Sequence, residues 1–118
     1  MTTADVAARF HELAQQEKWF EIQDELFADD VKSVEHARMP YMDDAEGKAL
    51  VRAKGETFVS KITAFNSGST SEPMVAGQHF VVHRQMDIET SDHGRIAMNE
   101  LMLYEVQEGK ITAEHFYY

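Results

Sequence analysis

The sequence predicts an α+β domain in which three N-terminal helices are followed by a curved antiparallel sheet, and three observations carry that prediction. Apolar residues recur at helical spacing only up to about residue 65. Almost everything after residue 71 alternates with the period of two that marks strands. The 118 residues suffice for one hydrophobic core and are too few for two. Helices grouped first and strands grouped second is the α+β pattern, distinct from the alternation of α/β folds.

The elements follow in order. Thr2-x-x-Asp5 has the form of a capping box, and Val6, Phe10, Leu13 and Ala14 then fall at helical spacing up to Gln16. Trp19, Ile22, Gln23 and Leu26, with Phe20 and Phe27 beside them, predict a second short helix ending at Asp29-Asp30. Residues 31–36 read as a short strand. Residues 37–46, with Pro40 and Asp43-Asp44, read as a loop. A third helix is expected from about Gly47 to Phe65, burying Val51, Gly55, Phe58, Val59, Ile62 and Phe65. Residues 66–71 are small and polar and read as a breaker. Strands are expected over 74–76, 79–90, 95–107 and 110–118, with turns at Asp92-His93-Gly94 and Glu108-Gly109. Strands of this length would bend around the helices. No internal repeat, low-complexity tail or linker interrupts the pattern.

Composition excludes several classes of function. No apolar run approaches the roughly 20 residues a membrane-spanning helix needs. The N-terminal residues have neither a basic nor an apolar leader segment and the chain contains no cysteine, so a cytoplasmic location is expected, without disulfides or thiolate-bound metal. A net charge of −10 repels polyphosphate backbones and speaks against nucleic acid as a partner.

Several segments resemble SnoaL-like domains. They are Ala28-Asp29-Asp30-Val31 leading into Ser33-Val34-Glu35, then Glu46-Gly47-Lys48 with Ala53-Lys54-Gly55, His79-Phe80 opening a strand that reaches Met86-Asp87, and Tyr104-Glu105-Val106-x-x-Gly109-Lys110-Ile111 closing on Glu114-x-Phe116-Tyr117-Tyr118. The resemblance covers essentially the whole chain. It implies the cone-shaped, cystatin-like fold shared with nuclear transport factor two and ketosteroid isomerase, with a cavity between helices and sheet. It also implies a homodimer through the sheet's other face. It carries over no catalytic residue, because no motif of a characterised member matches position by position, and the fold hosts enzymes and binding modules alike.

Strand parity locates the cavity face independently, since alternate residues share one side. In the strand from Arg95, the set Ile96, Met98, Glu100, Met102, Tyr104 and Val106 is the more apolar, and Glu100 is its one carboxylate. In the preceding strand Phe80, Val82, Arg84, Met86 and Ile88 are apolar except for Arg84. A three-residue Asp92-His93-Gly94 loop makes Arg84 and Glu100 diagonal neighbours, about 7–8 Å apart at Cα. Glu100 in apolar surroundings with its charge partly compensated is a candidate acid or base. A close Arg84 instead lowers its pKa and becomes a clamp for an anionic substrate. Tyr104 is a candidate donor to a developing oxyanion, or a packed core tyrosine.

The parity of the last strand depends on its turn. A two-residue Glu108-Gly109 turn sends Ile111, Ala113, His115 and Tyr117 inward. A three-residue turn beginning at Gln107 sends Thr112, Glu114, Phe116 and Tyr118 inward, and this second set is preferred. Glu35 and His36 end the first strand near the expected cavity mouth, as candidate ligand contacts. His79, His83 and Asp87 cannot share a metal, because strand residues four apart are separated by about 13 Å; no metal or other cofactor is expected. Met39, Met42, Met74, Met86, Met98 and Met102 offer adaptable thioethers for a core or an apolar ligand.

These readings converge on a module that holds a small, largely apolar, oxygenated molecule in the cavity. Its enzymatic version is cofactor-independent acid/base chemistry of the isomerase, cyclase or hydratase type, with Glu100 moving the proton and Tyr104 or Arg84 stabilising negative charge. The alternative is a non-catalytic homodimeric association module whose cavity is filled by its own side chains.

Overall fold

The computed structural model describes residues 1–37 and 43–118. Pro40, Met39 and Met42 of the expected loop lie outside the described residues. Three helices, α1 (Thr3–Gln15), α2 (Trp19–Leu26) and α3 (Lys48–Ser60), pack against strands β1 (Phe27–Glu35), β2 (Ala45–Glu46), β3 (Ile62–Thr70), β4 (Met74–Ala76), β5 (His79–Thr90), β6 (Gly94–Gln107) and β7 (Lys110–Tyr117). The strands form one sheet in the order β2-β1-β7-β6-β5-β3, and β4 pairs with the outer edge of β5 beyond β3. All the strand pairs are antiparallel except β1 with β7, which is parallel, so the sheet is mixed at one point where a wholly antiparallel one was expected.

The N-terminus of α1 is held by the expected capping box: Asp5 N–H donates to Thr2 Oγ1 at 3.1 Å and Thr2 N–H to Asp5 Oδ2 at 2.9 Å. Val6, Phe10 and Leu13 of α1, Ile22 and Leu26 of α2 and Val51 of α3 meet Phe80, Val82, Met102, Tyr104, Val106 and Ile111 of the sheet in one core. Each such large side chain contributes about 1.5–3 kcal/mol on burial.

Four boundaries differ from the sequence expectation, each for a local reason. The second helix stops at Leu26, because Phe27 already pairs with Ile111; a register shift between Phe27 and Lys32 lets Asp29 and Asp30 stand in the strand with their side chains in solvent. Ala45 and Glu46, read as loop, add a short antiparallel pairing to β1. The third helix ends at Ser60. Ile62 and Phe65 look helical because they are three apart and face the same cavity, but in β3 that is achieved by register shifts at Ile62/Ala64 and Phe65/Ser67. The supposed breaker at residues 66–71 is mostly edge strand. Its small polar residues pair with β5 on one side only and are largely exposed, so they carry no hydrophobic alternation.

Candidate functional site

Between the helices and the inner face of the sheet lies a cavity of about 610 Å³, within the size range of small-molecule sites. Much of its wall is apolar: Trp19, Phe20, Phe58, Phe65, Phe116 and three methionines, Met86, Met98 and Met102. Set into this wall are Glu17, Lys54, Arg84, Glu100 and Glu114.

Glu100 reaches the cavity because β6 alternates as its sequence predicts, with Met98, Met102, Tyr104 and Val106 buried on the same side. The register differs by two residues from expectation. The loop is Ser91-Asp92-His93, closed by Thr90 pairing with Gly94, so Arg84 lies directly opposite Glu100 rather than diagonal to it. A slip of two leaves every side chain on its original face. Arg84 nevertheless makes no ion pair with Glu100. Its guanidinium is bound in bidentate fashion by Glu17, Nη1 to Oε2 at 2.9 Å and Nη2 to Oε1 at 2.7 Å. Glu100 is 6% exposed and its Oε2 has no hydrogen-bond partner among the described residues. Burial, reinforced by the charge of Glu35 and only partly offset by Arg84, pushes its pKa up to about 8.

A second polar cluster adjoins it. Lys54, from α3, donates to Glu35 Oε2 at 2.7 Å and to Ser33 Oγ at 2.8 Å, and Ser33 donates to Glu114 Oε1 at 2.8 Å. The Tyr118 hydroxyl donates to Glu35 Oε1 at 2.5 Å. Burial raises Glu114 to about 7 against the opposing pull of Ser33 and Lys54. Burial and the hydrogen bond to Glu35 push the Tyr118 phenol upward as well. Glu35 thus stands one hydrogen bond behind Lys54 and Tyr118 two, both outside the cavity lining.

The parity of β7 combines both sequence alternatives. The turn is the two-residue Glu108-Gly109, both residues left-handed at φ 52° and 76°. A bulge follows, with Val106 opposite Ile111 but Glu105 opposite Ala113. Ile111 therefore enters the core, Thr112 takes up the extra place, and Glu114 and Phe116 turn to the cavity.

Tyr104 lines the cavity but is packed between Phe10 and Phe80, with ring centroids 4.7 and 5.0 Å away, and among the described residues its hydroxyl meets only the Met102 sulfur, at 4.0 Å. Burial, then the nearby Glu114 and Glu100, hold its phenol well above its ordinary pKa. His36 is not brought to the cavity. It follows Glu35 and so projects to the opposite face, where Nε2 meets His115 Nδ1 at 3.1 Å and the ring stacks on Tyr117 at 4.3 Å. Among the described residues, no group of three or more His, Cys, Asp or Glu side chains is placed to hold a metal ion.

Sequence reasoning missed Lys54, Ser33 and Glu17 as site residues. Lys54 had a signal, a cation flanking the Val51, Gly55, Phe58 stripe, the counterpart of Glu100 in β6. Ser33 lies two residues before Glu35 and so shares its face. Glu17, in a short interhelix link, had none.

With this geometry in view, comparison with known proteins assigns the chain. The family model of the SnoaL-like domain matches residues 1–118, and the chain belongs to that family. A Mesorhizobium loti protein, named as a proposed SnoaL-like polyketide cyclase, is 34% identical, with all of both chains covered and a TM-score of 0.92. A Xanthomonas campestris protein of unknown function with a cystatin-like fold is 14% identical, covering 99% of this chain and 90% of that one, with a TM-score of 0.81. TerC, co-crystallised with polyporic acid, is 14% identical over 98% of this chain and 90% of its own, with a TM-score of 0.74. The last two share the fold. No curated protein matches the chain.

Proposed function

We propose that this protein binds a small, largely apolar, oxygen-bearing molecule in the cavity and moves a proton on it with Glu100. The observation that carries the reading is the Glu100 carboxyl: buried, unpartnered at Oε2, and set among Met98, Met102 and aromatic rings on the wall of an open cavity. A buried polar atom without a partner costs on the order of 1–3 kcal/mol, which a ligand oxygen hydrogen-bonded there would recover. With a pKa of about 8 the group is mostly protonated at neutral pH. It can donate to a carbonyl oxygen, and its ionised minority form can accept a proton. The buried Tyr104 phenol shares the wall, and the unfilled volume counts against an association module with a filled interior. TerC and the Mesorhizobium protein support the reading by name and fold alone.

Hydrogen–deuterium exchange into 2-tetralone, an enolisable bicyclic ketone, tests it. The wild type should accelerate exchange in deuterated buffer and Glu100→Gln should return it to the buffer rate. Equal rates for the two proteins would remove the catalytic reading. Failure of 2-tetralone and related ketones to bind would remove the binding one.

Homodimer formation belongs to the same proposal. The outer sheet face presents Leu101 and Tyr117, paired across β6 and β7 and 49% and 40% exposed. Sedimentation should show a dimer in the wild type and a monomer in Leu101→Glu.

A further inference from the structure

Arg84 is 4% exposed, and its guanidinium lies against the Trp19 ring with its carbon 4.9 Å from the centroid. Nη1 also donates to Thr70 Oγ1 at 3.3 Å, and the absent side chain of Gly68 makes room, since a Cβ there would stand 3.1 Å from Nη1. Three donors converge on one carboxylate: the two Arg84 nitrogens and Trp19 Nε1, which donates to Glu17 Oε1 at 2.9 Å. The donors belong to β5 and α2. Their occupant comes from the three-residue link between α1 and α2 and is 37% exposed.

That link is a helix C-terminus with a Schellman pattern: Lys18 N–H donates to Leu13 C=O and Glu17 N–H to Ala14 C=O, each at 3.0 Å. Its left-handed position, where glycine is favoured, holds Glu17 at φ 56°. A non-glycine residue there costs about 1–2 kcal/mol. The chain accepts this strain at the position that delivers a carboxylate to the cavity wall.

We propose that Arg84 and Trp19 form a receptor for the carboxylate of a ligand, and that Glu17 occupies it as an internal stand-in that the ligand displaces. Guanidinium and indole keep all their hydrogen bonds when one carboxylate replaces another, and Glu17 has solvent to move into. The proposal rests on the cavity as a ligand site and narrows the ligand to one with a carboxylate beside an apolar body.

The single tryptophan supplies the assay, because its indole N–H gives one unambiguous cross-peak in proton–nitrogen correlation spectra. Benzoate, benzamide and formate are titrated into the wild type, Glu17→Gly and Glu17→Gly/Arg84→Met. Glycine suits the left-handed position; Glu17→Asn, the non-glycine residue that tolerates that conformation and whose side chain is a methylene shorter and uncharged, serves in its place if the glycine variant does not fold. The receptor predicts at least tenfold tighter benzoate binding in Glu17→Gly than in wild type, benzamide unchanged within twofold, and the gain lost in the double variant. Equal benzoate affinity in wild type and Glu17→Gly overturns it, as does a gain that survives loss of Arg84. Benzamide binding to neither protein counts against the cavity reading alone. Formate, which needs only the three donors, then decides: a Trp19 shift in Glu17→Gly and none in wild type supports the receptor, and no shift in either refutes it.

Discussion

Replacing Glu100 by glutamine removes a titrating group while keeping its shape, and the structure fixes how stability should respond to pH. The folded protein holds the Glu100 proton up to about pH 8, whereas the unfolded chain releases it near 4.5. Between those values the native state binds more protons than the unfolded one, so the wild type loses stability as pH rises; below 4.5 and above 8 the contribution is level. Each unit is worth about 1.4 kcal/mol, which makes the full effect on the order of 5 kcal/mol if the carboxyl ionises in place. Glutamine has no proton to lose. The two proteins should therefore be of similar stability at pH 5, with the variant several kcal/mol more stable at pH 9.

Urea unfolding at five pH values from 5 to 9, at one protein concentration, measures this difference. Using the difference matters. Glu114, raised to about 7, also destabilises the native state as pH rises. Asp87, held below its ordinary pKa by Arg95, and Glu25, held down by Arg9, act in the opposite sense on acidification. To first order these contributions are common to both proteins and cancel. A wild-type-minus-variant difference flat within about 0.5 kcal/mol, the usual uncertainty of additive comparisons, would refute a Glu100 buried and protonated at neutrality.

Three further outcomes follow from the same geometry. Lys54→Met removes the cation bonded to Glu35, whose side chain is 5% exposed, and should cost about 3–5 kcal/mol in urea unfolding. Deleting Thr112 removes the bulge's extra residue and leaves Ile111 and Glu114 two apart, on one face of a regular strand, so the loss should stay below that of truncating a buried isoleucine, about 2–5 kcal/mol, in thermal or urea unfolding. Gly68→Ala places a methyl 2.5 Å from Phe65 Cζ and 3.1 Å from Arg84 Nη1, and should cost about 1–3 kcal/mol and move the Trp19 indole resonance.

The sequence made the inner face legible and left the polar site half hidden, for physical reasons. A strand's period of two survives a register error of two, so Glu100, Arg84 and Tyr104 were assigned to the right side although the loop was misplaced. Bulges break that protection. The bulge at Thr112 made neither simple turn sufficient for β7, and the shifts in β3 let Ile62 and Phe65 imitate a helix. Contacts between distant elements leave still less trace. Nothing in the link Gln16-Glu17-Lys18 indicates that Glu17 spans to Arg84, 67 positions away, and so the expected choice between a Glu100 with a raised pKa and an Arg84 close enough to lower it and clamp a ligand omitted the partner that holds the guanidinium.

Burial raises two carboxyls toward and above neutral pH, and the pairing of the nearby cations leaves that rise only partly opposed. The cluster contains Glu17, Glu35, Glu100 and Glu114, with Arg84 and Lys54 as the cations that counter them. Glu17 binds Arg84 and Glu35 binds Lys54, so Glu100 and Glu114 have no directly bonded cation among the described residues, and both are raised, chiefly by burial. Removing Glu17 changes the balance. In Glu17→Gly the guanidinium opposite Glu100 has lost its bonded anion, and its attraction for the ionised carboxylate, already present in the intact protein, is no longer offset. The pH at which the stability difference between Glu17→Gly and Glu17→Gly/Glu100→Gln levels off should then fall below the wild-type value of about 8. Formate, if it fills the place left by Glu17, should move it back up. A levelling point that ignores both the substitution and the added carboxylate would show that Arg84 and Glu100 are not electrostatically coupled through the site.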